Sequence, residues 1–273
     1  MKTILVPTDF SIASRNAATY AAQIATIFKA KMILFHAYML PTPVMEVPYV
    51  MVTANELQKQ NENNIKKQGE ELRRHYGIEV EHLVQIGIPS DEIKLLTLEK
   101  KIDLVVIGMK DGAEMDKILG STAIFAIRKV RSAVIIVPAD FNFTPLRKII
   151  YASDFSYEIP PNLFEPMIKL SKAFKASIDI LNVHRQHVGV TEGQRAGNKK
   201  LETIFNGIDH RFSTITNASV MNGINVYIEH NPAELLVMVA HKHTFFERVF
   251  TKSQTTAMAY ETKIPLLILK ENQ

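Results

Sequence analysis

The chain of 273 residues contains no cysteine. That excludes disulfides, thiolate nucleophiles, thiolate-ligated zinc and iron–sulfur clusters. It also fits a reducing compartment. Glycine and proline are sparse, at 11 and 12 residues, which excludes collagen-like and low-complexity architectures. No apolar run reaches the length of about 18 residues that a membrane span needs. No block of five or six like charges occurs, so neither a nucleic-acid-binding arm nor a polybasic membrane patch is expected. The apolar run Ile4–Val6 near the start is cut by Pro7 and Asp9, too short for a secretory core. A cytoplasmic protein is therefore expected.

What remains is an ordinary globular composition, with 47% apolar and 22% charged residues and a net charge of +4. The length suggests about two domains. An internal repeat points the same way. Residues 2–11 read KTILVPTDFS and residues 147–156 read RKIIYASDFS, an offset of 145. Apolar runs ending in His36 and His184 correspond in character. So do Leu104–Gly108 with Leu236–Ala240, and Ala133–Pro138 with Pro265–Leu269. The expected units are 1–140 and 146–273, joined near Pro138–Pro145.

In the first unit, strands at Ile4–Val6, Met32–Ala37, Val80–Val84, Leu104–Ile107 and Ala133–Val137 alternate with helical patterns. Ser11 is placed to cap the first helix, Gly77 to stop a polar helix over 55–76, and Ser90 to open another. A further helix is expected at Ser121–Lys129. Such alternation predicts an α/β fold with a parallel sheet covered on both faces. In the second unit, Val226–Ile228 reads as a strand only seven residues before Leu236–Val239. A parallel crossover needs about 10–12 residues, so the second copy is expected to lack one crossover helix.

Ligands of open parallel sheets bind beyond the carboxyl ends of the strands. Asp9, Ala37 and the loop after Leu104–Ile107 lie there. That loop runs Gly108-Met109-Lys110-Asp111-Gly112 to Gly120-Ser121-Thr122. Its glycines permit close approach to a phosphate, and a following helix N-terminus favours an anion. Asp9 suits a ribose hydroxyl. The same residues also read as a plain strand-to-helix loop, with Gly108 and Gly112 in turns and Ser121 as a helix cap.

With Ile4–Ser11, Asp103–Lys110, Leu119–Thr122 and Val134–Pro138, the chain resembles the universal stress protein (UspA-like) family in its tandem two-domain form. The second copy adds His241–Arg248 to the likeness. The resemblance implies two tandem Rossmann-like domains of the adenine nucleotide alpha hydrolase-like kind. It also implies dimer-like pairing through the last strand, here between the two copies of one chain, and a homo-oligomer. It implies a stress-response regulatory protein that binds ATP, with Mg, and acts on an unidentified protein partner. Residue by residue, it implies a nucleotide site of Thr8 and the ribose-binding Asp9, with Ala37 beside adenine. Ile107 and Gly108 start the phosphate loop, and Gly120, Ser121 and Thr122 end it. ATP-binding members carry G-x2-G-x9-G-(S/T). Here Asp111 takes the second glycine position, Gly112 follows it, and the span from Gly108 to Gly120 is one residue short. A carboxylate beside phosphates repels them unless it holds magnesium.

The second copy keeps Asp154 but has Ala240 for Gly108 and Lys252-Ser253 for Gly120-Ser121, so it is not expected to bind ATP in that mode. Keeping Asp154 without the loop leaves a helix-capping role open for Asp9. No Ser-His-Asp order, carboxylate pair or Walker loop stands out, and no general base is evident, so ATP hydrolysis would be slow at most. Three other readings stand. One is a nucleotide-free dimerisation or interaction scaffold. Another is a metal module using His241 and His243 with His210 or His230; because no ligand spacing fixes the third partner, a basic solvated loop is the expected reading and no metal ligand is assigned. The third makes Phe245, Phe246 and Phe250 core or interface, and the loop with Met39, Met45 and Met51 a lid or partner surface.

Overall fold

A computed structural model describes residues 1–40, 54–109, 130–153, 155, 160–184, 192–240 and 263–270, with backbone only at 192–195. The first half contains β1 (Thr3–Pro7), α1 (Ile12–Phe28), β2 (Lys31–Tyr38), α2 (Ala54–Tyr76), β3 (Val80–Ile86), α3 (Pro89–Glu99), β4 (Leu104–Met109) and β5 (Ala133–Pro138). The second contains β6 (Lys148–Ala152), a 3-10 turn (Pro161–Phe164), α4 (Glu165–Phe174), β7 (Ser177–His184), α5 (Glu192–Ile204), β8 (His210–Thr216), α6 (Val220–His230), β9 (Leu235–Ala240) and β10 (Leu266–Lys270). The helix expected at Ser121–Lys129 lies outside the described residues.

All ten strands among the described residues form one sheet in the order β3-β2-β1-β4-β5-β10-β9-β6-β7-β8. Every neighbouring pair is parallel except β5 and β10, which run antiparallel at the seam between the halves. Their register centres on Ile135 opposite Leu267, flanked by Ile136–Leu266 and Val134–Ile268. The central strands are continuous apolar runs because both faces are covered. β1, β4 and β5 bury nearly every side chain. One face packs under α1, α2, α4 and α5, around Ile24, Ile65, Leu170 and Phe205. The other packs under α3 and α6, around Ile93, Leu96, Ile224 and Tyr227.

The crossover helix expected to be missing from the second half is present as α6. Val226–Ile228 belongs to it rather than to a strand. Ser219 caps it, its Oγ accepting from the Asn222 amide at 3.3 Å, and Gly223, Ile224 and Tyr227 bury one face. The strand before the crossover is β8, whose His-Arg-Phe-Ser-Thr-Ile-Thr carries the mixed pattern of an edge strand. An apolar triplet cannot separate strand from helix, and here it lay inside the helix. Ser90 does not open α3 either: Pro89 occupies the first turn and Ile88 the cap position without a side-chain bond.

The halves share local devices beyond the strands. Asp103 accepts from the Lys2 and Thr3 amides at 2.5 and 2.9 Å, and Glu234 accepts from the Arg147 and Lys148 amides at 2.9 and 2.8 Å. Lys29 and Lys175 end α1 and α4 with left-handed φ of 49° and 57°. They diverge at the outer strands. Asp179 on β7, almost fully buried, accepts from Arg211 Nε at 2.8 Å, Ser213 Oγ at 2.7 Å and Tyr227 Oη at 2.8 Å, tying β7, β8 and α6 together. By sheet register the counterparts of Asp179 and Arg211 are Ile33 and Glu81.

Candidate functional site

Strand order reverses at β1: β2 lies on one side and β4 on the other. Such a switch point opens a crevice beyond the carboxyl ends of the strands. The β1–β4 ladder holds only two pairs, Ile4–Leu104 and Leu5–Val105, while β4 stays paired with β5 as far as Met109. The end of β1 therefore departs from β4, and α1 starts in the gap.

Thr8 is buried at the head of this crevice. Its amide donates to the Phe35 carbonyl at 2.8 Å, extending the β1–β2 ladder. Its Oγ1 accepts from the Phe10 amide at 3.1 Å, meets Ser14 Oγ at 3.1 Å and donates to Gln68 Oε1 on α2 at 3.3 Å. His36 Nδ1 lies 2.7 Å from the Thr8 carbonyl, which only accepts, so the proton sits on Nδ1. Phe10 takes a left-handed φ of 62° and packs its ring 4.5 Å from that imidazole. A non-glycine residue in that region costs about 1–2 kcal/mol, offset here by the Thr8 bond and by Arg15 Nε donating to the Phe10 carbonyl at 3.1 Å.

Asp9 is exposed beside this turn. Its Oδ1 accepts from the Ser11 amide at 3.1 Å and the Ser11 hydroxyl at 2.5 Å. Ser11 Oγ in turn accepts from the Ser14 amide at 3.3 Å, the N-cap expected of it. Asp9 thus orders the first turn of α1 while standing at its positive end.

Gly108 lies against that same turn. A Cβ there would sit 2.3 Å from the Ala13 carbonyl oxygen and 2.9 Å from the Ser14 amide nitrogen. Close helix-to-strand packing therefore demands glycine at this position, whatever binds beyond it. Ile107 is buried, and Ala37 is half-buried; both pack in the cluster under α3, on either side of the end of β1.

The structure thus brings Thr8, Asp9, Ala37, Ile107 and Gly108 to one edge of the sheet. Gly120, Ser121 and Thr122 lie outside the described residues, as do Asp111 and Gly112. Two features went unread in the sequence. Gln68 reaches Thr8 from α2, with no signal beyond its place in a polar helix. Ile12, Ile86 and Ile88, all more than half exposed, give this edge an apolar character, alongside Met39, which the sequence had placed in an apolar loop.

In the second half, Ser153 repeats Thr8, its Oγ accepting from the Phe155 amide at 3.2 Å, and Phe155 has a φ of 58°. The sheet register pairs His36 with Asn182, not His184 as its place in the sequence suggests. Asn182 Nδ2 donates to the Ser153 carbonyl at 2.7 Å, repeating the His36 bond without an imidazole. His184 is the counterpart of Tyr38. Asp154 and Lys252-Ser253 lie outside the described residues.

Among the described residues no group of three His, Asp or Glu could hold a metal. His210 and His230 bond the Ile208 and Val226 carbonyls, each at 2.8 Å. His241, His243, Phe245, Phe246, Phe250, Met45 and Met51 lie outside them. No described helix is long and apolar enough to cross a membrane.

The model of the universal stress protein family matches residues 1–138. A universal stress protein of Methanocaldococcus jannaschii is 29% identical over 145 residues, covering 50% of this chain and 81% of its own. Among solved structures, a universal stress protein from Archaeoglobus fulgidus superposes with a TM-score of 0.72 at 15% identity, over 99% of this chain and 97% of its own. A Pseudomonas aeruginosa protein described as of the same kind gives 0.65 at 14% identity, over 99% and 93%. At such identities the structural likeness speaks for the fold alone.

Proposed function

Because this chain belongs to the universal stress protein family, we propose that it is a stress-response regulatory protein whose first half binds an adenine nucleotide, ATP with Mg. Residues 1–140 carry the site, and residues 146–273 act as a fixed partner docked through β5 and β10. The protein works in the cytoplasm, and nucleotide occupancy biases a surface that a protein partner or a second copy reads.

The observation that carries this reading is the convergence at the β1–β4 switch point. Asp9 stands exposed at the positive end of α1, flanked by Gly108, with Ala37 and Ile107 on the α3 side. An adenine beside Ala37 would cover apolar surface, the ribose hydroxyls would meet Asp9, and the phosphates would run toward the helix end. Magnesium would be needed near Asp111, where a bare carboxylate repels phosphate.

A second reading, the nucleotide-free scaffold, draws on the same geometry. Gly108 is required by the contact with α1, and Asp9 by the turn before it, so the fold alone accounts for both.

Isothermal titration of ATP with magnesium separates the two, after testing for nucleotide carried through purification. One saturable site per chain is expected, weakened at least tenfold by Asp9→Asn. That variant keeps an acceptor for the Ser11 amide and removes only the charge. Gly120→Leu should abolish binding with the fold intact. Absence of binding and of carried nucleotide would establish the scaffold, and two sites per chain would overturn the assignment of the second half.

A further inference from the structure

Helix α3 packs onto the sheet through Ile93 and Leu96, both almost fully buried. Its opposite face carries Leu95 and Leu98, 48% and 54% exposed. Residues three apart on a helix are surface neighbours, so the two leucines adjoin. Single exposed leucines are ordinary on a protein surface. Here two stand together, and the charges that flank them are sorted by sign.

A heptad describes this face. Ile88, at the cap, and Leu95 fall on one inner position, and Asp91 and Leu98 on the other. Glu92 and Glu99 follow the second inner position and form one flank. Lys94 and Lys101 precede or follow the first by one heptad step and form the other flank. Lys94, Glu99 and Lys101 are exposed. Neither Lys94 nor Glu99 has an ion-pair partner among the described residues, whereas Lys100 is engaged with Glu81 at 2.9 Å.

We propose that the outer face of α3 is a dimerisation surface for a second copy of this chain, whose α3 packs parallel to it across a twofold axis, with Leu95 and Leu98 at the centre and Lys94 paired with Glu99 of the second copy. Acid on one flank and base on the other select that orientation. In parallel packing the flanks of opposite sign meet, and Lys94 reaches the residue five positions on in the other helix, twice by symmetry. In antiparallel packing each flank would meet itself, setting Glu92 against Glu99 and Lys94 against Lys101. The β5–β10 seam joins the two halves through strand edges and leaves the two leucines exposed.

The contact is small. One short helix from each copy covers less than the roughly 1,200 Å² in total that stable complexes bury, so the dimer is weak and concentration-dependent. Asp91 limits it further, because the two Asp91 carboxylates of a parallel pair would face each other one turn before Leu95. None of Lys94, Leu95, Leu98 and Glu99 belongs to the β1–β4 crevice, so this association is independent of nucleotide binding.

Sedimentation equilibrium of the full chain at low salt, from about 1 µM to about 1 mM, reads the association. Reversible dimerisation is expected, weakened at least about tenfold by Leu98→Glu. Lys94→Glu and Glu99→Lys should each weaken it roughly fivefold, since each sets like charges together twice, and the double substitution should return it to within about twofold of the parent. The chain has no cysteine, so Leu95→Cys supplies a single thiol that cross-links to its own copy under mild oxidation, whereas Glu70→Cys on α2 should not. All these positions are exposed, and far-ultraviolet circular dichroism checks that each variant keeps the fold. The proposal fails if the chain stays monomeric throughout, which would leave the leucines to a different protein. It also fails if Leu98→Glu dimerises like the parent, if the double charge swap restores nothing, or if both thiols cross-link equally.

Discussion

Gly108→Ala is the substitution whose outcome most directly tests how the first half is built. The added methyl would meet the Ala13 carbonyl oxygen at 2.3 Å, its carbon at 2.4 Å and the Ser14 nitrogen at 2.9 Å. Ordinary contacts lie near 3.5–4.0 Å, so more than 1 Å must be recovered. All three atoms are backbone, so no rotamer change relieves the clash. Nor can α1 retreat readily: Asn16 ties it to the Pro138 and Phe141 carbonyls, and Ala17, Ala18 and Ala21 are fully buried against the sheet. Overpacking of this kind costs about 1–3 kcal/mol, and the rigid neighbours place it at the upper end. The reduced freedom of the unfolded chain returns about 0.4–1 kcal/mol. A net loss of about 2 kcal/mol follows, measured as a lower urea midpoint with unchanged slope in far-ultraviolet circular dichroism. In the second half the sheet register puts Val239 at this position, not Ala240 as the sequence match suggested, and α4 begins only at the counterpart of Thr19, behind a 3-10 turn. A Gly108→Ala protein within 0.5 kcal/mol of the parent would refute the close approach and leave the glycine to be explained by a ligand.

Arg211→Met should cost about 2–4 kcal/mol, because it leaves the buried Asp179 carboxylate with only the Tyr227 and Ser213 hydroxyls. Asp179→Asn should cost less, since the half-exposed guanidinium returns to water, and denaturant unfolding of both variants checks that order. Lys270 has a depressed pKa in the folded chain, so the unfolded state binds the extra proton between about pH 7 and 10.5 and stability rises with pH across that window. Lys270→Met should flatten this rise, worth up to about 4 kcal/mol, in urea midpoints at pH 6.5 and 9.5; an unchanged slope would show that the amine is solvated. Ser11→Ala removes the cap of α1 and should cost about 1 kcal/mol, with hydrogen exchange rising first at the Ser14 amide.

Where residues announce their own backbone, the sequence was readable. The Asp-Phe-Ser repeat marked both strand-to-helix turns, and the continuous apolar runs of β1, β4 and β5 could only be buried parallel strands. Elements defined by what they pack against were harder. β8 is an edge strand whose side chains alternate among charge, ring and hydroxyl, and its partner β7 is 32 residues away in the Asp179–Arg211 pairing. Without it, Val226–Ile228 was the remaining apolar run and read as a strand, although Ser219 and the Gly223-Ile224-Tyr227 spacing carried the helical signal. His184 was matched to His36 by residue type, whereas register gives that place to Asn182, because one extra residue lies between Phe155 and α4.

The repeat also weighs the candidate site. Features held by both halves belong to the fold: the hydroxyl of Thr8 or Ser153, the left-handed Phe10 or Phe155, and the donor from His36 or Asn182 to the preceding carbonyl. These recur although the second half lacks Gly108, so they say little about a nucleotide. The evidence for function lies in what is not repeated. The first half has helical turns of α1 packed directly onto a glycine-ended β4, and an edge where Ile12, Met39, Ile86 and Ile88 stand in solvent. The second has Asn162 lining a seam cavity at the place where Asn16 straps the chain of the first half down. A duplicated fold that had kept only a structural role would have little reason to diverge at its two carboxyl edges while preserving the turns beneath them.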